Sequence, residues 1–96
     1  MFVVLLTYIA SLDQVDDHLP AHRTFLSSNY AAGVFLLSGR KEPRDGGVIL
    51  AQAESRQALE AVLAQDPFRT HGVADYQIVE FIPTMAAPFL NTLVAA

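Results

Sequence analysis

Val34-Phe35-Leu36-Leu37-Ser38 and Gly47-Val48-Ile49-Leu50-Ala51-Gln52-Ala53, separated by the polar loop Gly39 to Gly46, decide the fold of this chain. Both runs are short, rich in branched and aromatic residues, and bounded by glycine, so each reads as a strand. The loop between them carries Arg40, Lys41, Pro43 and Arg44. Two strands joined in this way pair as an antiparallel hairpin. Along the runs, Phe35 and Leu37 alternate with Val34 and Leu36, and Val48 and Leu50 with Ile49, so both faces of the hairpin are apolar.

Upstream, Phe2-Val3-Val4-Leu5-Leu6-Thr7-Tyr8 is nearly continuous in apolarity and predicts a central strand covered on both faces. Ser11 to His18 turns polar and acidic and reads as a loop with one helical turn at most. Pro20 suits the first position of a helix that runs to Ala32, with Phe25 and Leu26 facing inward and Gly33 as its stop. Downstream, Ser55 caps a second helix that extends through Ala64 and buries Leu59, Val62 and Leu63. Asp66 before Pro67 is an N-cap followed by a proline at the first helical position, and starts another turn. Tyr76-Gln77-Ile78-Val79-Glu80-Phe81-Ile82 is a fourth strand, closed by Pro83.

The order β-α-β-β-α-β predicts an α+β ferredoxin-like domain, a four-stranded antiparallel sheet with two helices on one face. Residues 1–84 form that domain, and residues 85–96 form an uncharged, apolar tail. Because two helices cover only one face of such a sheet, the second apolar face predicts sheet-to-sheet homodimerisation. The apolar content of 52% in 96 residues points the same way.

A net charge of −4, with only six basic residues, disfavours nucleic acid as a partner, since phosphate neutralisation needs a basic surface. No apolar run is long enough to span a bilayer, and the apolar start lacks the basic region of a signal peptide. The absence of cysteine removes disulfides, thiolate ligands and a cysteine nucleophile, and fits a cytoplasmic setting.

Chemistry centres on His22 and Asp66. His22 lies three and four residues before Phe25 and Leu26, so its ring is aimed at the sheet. An aspartate that holds one imidazole nitrogen leaves the other to take a proton, the usual arrangement of a general base. His18 has helical spacing to His22, but a helix starting at Pro20 leaves it off that face, and no third ligand is suitably spaced, so neither metal nor cofactor is expected. His71, three residues after Phe68, reads as a surface or cap residue.

Taken together, the apolar first strand, Leu19-Pro20-Ala21-His22, Gly33, Ser38-Gly39, Pro43-Arg44, Gly46-Gly47-Val48 and Ala64-Gln65-Asp66-Pro67-Phe68 leading to Gly72-Val73 resemble the YciI-like (YCII-related) proteins over nearly the whole chain. The resemblance implies a dimeric α/β barrel of ferredoxin-like subunits and a His–Asp site that falls on His22 and Asp66. It also implies small aromatic-derived substrates. The expected activity is that of a lyase, isomerase or hydrolase. His22 and Asp66 are the expected catalytic pair, with Ser38, Arg40 and Phe68 touching the small-molecule substrate. The alternative is a non-catalytic dimeric module for a small ligand or a protein partner, in which the His–Asp contact only pins one helix to the other.

Overall fold

In a computed structural model that describes residues 1–94, the chain folds as β1 (Phe2–Tyr8), α1 (Leu12–Ala31), β2 (Phe35–Arg40), β3 (Gly46–Ala51), α2 (Arg56–Leu63), α3 (Pro67–Thr70) and β4 (Ala74–Glu80). The strands form one antiparallel sheet in the order β2-β3-β1-β4. This is the ferredoxin-like arrangement, with β1 central as its continuous apolarity requires. Phe2, Val4 and Leu6 of β1 meet Val15 of α1 and Leu59 and Leu63 of α2 in a single core.

α1 starts eight residues earlier than Pro20. Ser11 Oγ accepts from the Gln14 amide and Gln14 Oε1 accepts from the Ser11 amide, each at 3.3 Å, a reciprocal capping box that outweighs the proline signal. Pro20 therefore lies inside the helix, on its exposed side, where water can serve the carbonyl left without an amide donor. The shift places His18 on α1, one turn before His22, rather than in a loop.

A second departure lies in β2. Phe35 pairs with Ala51 but Leu37 pairs with Leu50, so Leu36 is the extra residue of a β-bulge. Strict alternation would put Phe35 and Leu37 on one face, whereas the bulge separates them: Phe35 is 2% exposed and Leu37 67%. Beyond it, Ser38 pairs with Ile49 and Arg40 with Gly47, which turns both toward the helix side of the sheet.

The other face of the sheet remains apolar. Val3 lies opposite Leu50 and Val79, Leu5 opposite Val48, and Leu37 opposite Leu50, none of them fully buried. After β4, Pro88–Leu93 forms a 3-10 helix without a buried residue, and Met85 and Phe89 stand exposed. The last two residues of the expected tail lie outside the described residues. Among the described residues, no helix is long and apolar enough to cross a membrane.

Gly46 opens β3 where it pairs with Thr7, and a Cβ there would stand 1.8 Å from the Leu6 carbonyl oxygen. Gly46→Ala must force β1 and β3 apart, and overpacking of this kind costs about 1–3 kcal/mol or more. For a domain of this size that lowers the melting temperature by roughly 4–8 °C per kcal/mol. Gly39→Ala, at a position with nothing within 4 Å, should leave the melt unchanged. Equal melts for the two variants would contradict the register.

Candidate functional site

The site is built on the turn between α2 and β4. Ser55 caps α2 by accepting from the Ala58 amide at 3.0 Å, and the buried stripe Leu59 and Leu63 fixes that helix on the core. The chain then reaches Asp66, whose extended backbone (φ −63°, ψ 126°) makes it the N-cap of α3 with Pro67 next, as the local sequence requires. Gly72, at φ +65°, takes the left-handed conformation that lets the chain leave α3 for β4.

Asp66 is fully buried, and both of its oxygens are engaged. Oδ1 accepts from the Phe68 amide at 2.9 Å and from His22 Nδ1 at 2.8 Å. Oδ2 accepts from the Tyr76 hydroxyl. An ionised carboxylate has acceptors only, and these three contacts use lone pairs on both of its oxygens. His22 Nδ1 must then carry hydrogen, and in the neutral ring Nε2 is the lone-pair nitrogen.

Packing fixes the plane of that ring. His22 stacks on Phe68 with centroids 3.9 Å apart and planes within 3°. Phe68 is itself held edge-on by Tyr8, at 6.0 Å and 89°. His22 is only 8% exposed, but Nε2 makes no hydrogen bond to the protein, and no buried side-chain nitrogen or oxygen among the described residues lacks a partner. Nε2 therefore keeps some contact with solvent. His22 borders a cleft of about 170 Å³ between α1 and the β1–β3–β2 side of the sheet.

His22, Ser38, Arg40 and Phe68 all border this cleft, whereas Asp66 stands behind the imidazole and does not. Ser38 reaches the cleft because of the β2 bulge, and its hydroxyl is hydrogen-bonded to the Tyr30 hydroxyl. Phe68 is 1% exposed, so its larger contribution is to support the imidazole. Arg44 is drawn away to Asp16, whose hydrogen bond raises the guanidinium above its ordinary pKa. The cleft also presents Arg23, which follows His22 on α1 and was not singled out from sequence.

Tyr76 is the other member that the sequence reading missed. It shares a sheet face with Leu6, and a tyrosine aimed into an interior needs a partner for its hydroxyl, which is the signal that was available. His18 and His71 also meet, stacked at 4.0 Å between α1 and α3, with His71 as the C-cap of α3. Among the described residues, no three histidine, cysteine, aspartate or glutamate side chains are grouped to hold a metal ion.

Comparison with known proteins gives three results. The model of the YCII-related domain family matches residues 1–82. Among solved structures, the chain is similar to the 5-chloro-2-hydroxyhydroquinone dehydrochlorinase of Burkholderia phenoliruptrix AC1100 in complex with 2,5-dihydroxybenzoquinone. The TM-score is 0.72 at 18% sequence identity, over 86% of this chain and 95% of that one, a likeness of fold. No curated protein matches.

Burial, and then the hydrogen bond to Asp66 and its charge, push the Tyr76 phenol well above its ordinary value of 10.0. A raised folded-state pKa means that the neutral form is the one folding favours. The contribution is therefore fully present below about pH 10 and lost as pH rises further. The stability difference between wild type and Tyr76→Phe should be flat from neutral pH to that point and shrink above it in urea titrations. A gap that widens with alkalinity would contradict the Tyr76–Asp66 bond.

Proposed function

The chain belongs to the YCII-related domain family, and from that premise we propose that it is a small acid–base enzyme of the lyase, isomerase or hydrolase type acting on a small aromatic-derived substrate. One observation carries the proposal. Asp66 holds His22 Nδ1 at 2.8 Å, Nε2 has no partner within the protein, and the ring borders the cleft. In this geometry Nε2 takes a proton from a carbon or oxygen of the substrate, and Asp66 stabilises the imidazolium that results. The same nitrogen then returns the proton to the product or to a leaving group. The ring needs no reorientation between the two steps, because Phe68 and Asp66 hold it throughout.

Ser38 and Arg40 serve the polar end of the substrate. Ser38, its hydroxyl bonded to that of Tyr30 on α1, offers a hydrogen bond from the β2 wall, and Arg40 offers a planar fork of donors at the rim. The dehydrochlorinase supports this reading, because it shares the fold, is named for removing the elements of hydrogen chloride from an aromatic compound, and holds a quinone in its structure. The alternative, a non-catalytic module in which the same contacts are purely structural, draws on the fact that Asp66 also caps α3 and anchors Tyr76.

The apolar sheet face completes the proposal. Val3, Leu5, Leu37, Val48, Leu50 and Val79 form one surface, and a second copy packing face to face covers it in both subunits.

His22→Ala should lower turnover of a chlorinated hydroquinone by a factor of roughly a hundred to ten thousand, with cooperative unfolding retained. Full activity in that variant moves the protein to the structural alternative. In sedimentation velocity the wild type should run as a dimer and Leu37→Arg as a monomer with an unchanged far-ultraviolet spectrum. A monomeric wild type would remove the sheet-to-sheet assembly.

A further inference from the structure

The chain has six basic side chains, Arg23, Arg40, Lys41, Arg44, Arg56 and Arg69, and four of them are engaged within the protein. Arg44 pairs with Asp16, and Arg56 reaches Glu60 at 3.4 Å and the Ile78 carbonyl at 3.3 Å. Lys41 donates to Thr7 Oγ1 at 3.2 Å, and Arg69 lies over the Tyr76 ring at 5.6 Å. Among the described residues, Arg23 and Arg40 alone have no ion pair, side-chain hydrogen bond or aromatic partner. These are the two arginines that border the His22 cleft, one from α1 and one from β2, and no aspartate or glutamate shares its wall.

An acidic protein repels anions over most of its surface, so two unpaired guanidinium groups facing one small opening set its selectivity. Below them the walls are apolar, with Leu6, Leu19, Leu26 and Ile49. The space of about 170 Å³ is slightly more than the ~150 Å³ apolar cavity that takes a benzene molecule, and well below the ~300 Å³ at which sites for drug-sized ligands begin. It suits one six-membered ring with small substituents.

We propose that Arg23 and Arg40 together select a single-ring organic anion, a carboxylate or an ionised phenol. Its charged oxygens lie between the two guanidinium groups at the rim, and its ring enters the apolar part of the cleft beside His22. Guanidinium recognises such oxygens through paired N–H donors, a geometry that lysine cannot copy. The inference rests on the cleft being the ligand site proposed above, but not on His22 turning the ligand over.

The test is equilibrium binding by titration calorimetry at low salt, with benzoate and 2,5-dihydroxybenzoate set against their uncharged amides. Each acid should bind at least about tenfold tighter than its amide, the range expected of a hydrogen bond to a charged group. Arg23→Gln and Arg40→Gln should each remove about that factor, while Arg44→Gln, whose partner is Asp16, should bind as wild type does. Amides that bind as well as the acids, acids that do not bind at millimolar concentration, or an Arg44→Gln loss equal to that of Arg23→Gln would each overturn the proposal. Failure of the acid–base reading would appear instead as undiminished turnover in His22→Ala, so the two outcomes are separable.

Discussion

A carboxylate without solvent contact is the constraint around which this domain closes. Burying a charge costs several kcal/mol unless donors replace the water it loses, and Asp66 gathers three from three different places. The Phe68 amide comes from its own turn, the imidazole from α1 and the phenol from β4. Each bond stabilises the charge, and together they fix how α1, α3 and the edge of the sheet meet. Removal of one partner leaves the others facing an incomplete shell, so the cost exceeds that of a single hydrogen bond.

That constraint also polarises the histidine. Because Asp66 occupies Nδ1 and Phe68 covers one face of the ring, Nε2 is the nitrogen left without a protein partner, on a ring that borders the cleft. The sheet divides the rest of the labour. Its helix side carries the core and the cleft, and its opposite side carries an apolar surface suited to a second copy. The bulge at Leu36 is what allows β2 to serve both sides, by turning Leu37 outward and Ser38 and Arg40 inward.

Much of this was legible in the amino-acid sequence. The hairpin at mid-chain and the capped helices placed every strand, and Asp66-Pro67 announced its own N-cap because that signal is local. The start of α1 was misread because Pro20 and the Ser11–Gln14 box are both N-terminal signals, and only the latter makes two hydrogen bonds. The bulge left no mark in Val34-Phe35-Leu36-Leu37-Ser38, where every register looks equally apolar. Tyr76 and Arg23 escaped for a related reason: their roles depend on which distant side chains they meet, and a periodicity of two or of 3.6 residues carries no such information.

The protonation pattern of the His22 ring tests the central claim most directly. Long-range proton–nitrogen correlation spectra, recorded at a pH where the ring is neutral, report which nitrogen bears hydrogen. With Asp66 as the accepting carboxylate, hydrogen is expected on Nδ1 and a lone pair on Nε2 in the wild type, with that preference lost in Asp66→Ala. A wild-type ring protonated on Nε2 would mean that the carboxylate does not orient it, and would contradict the account.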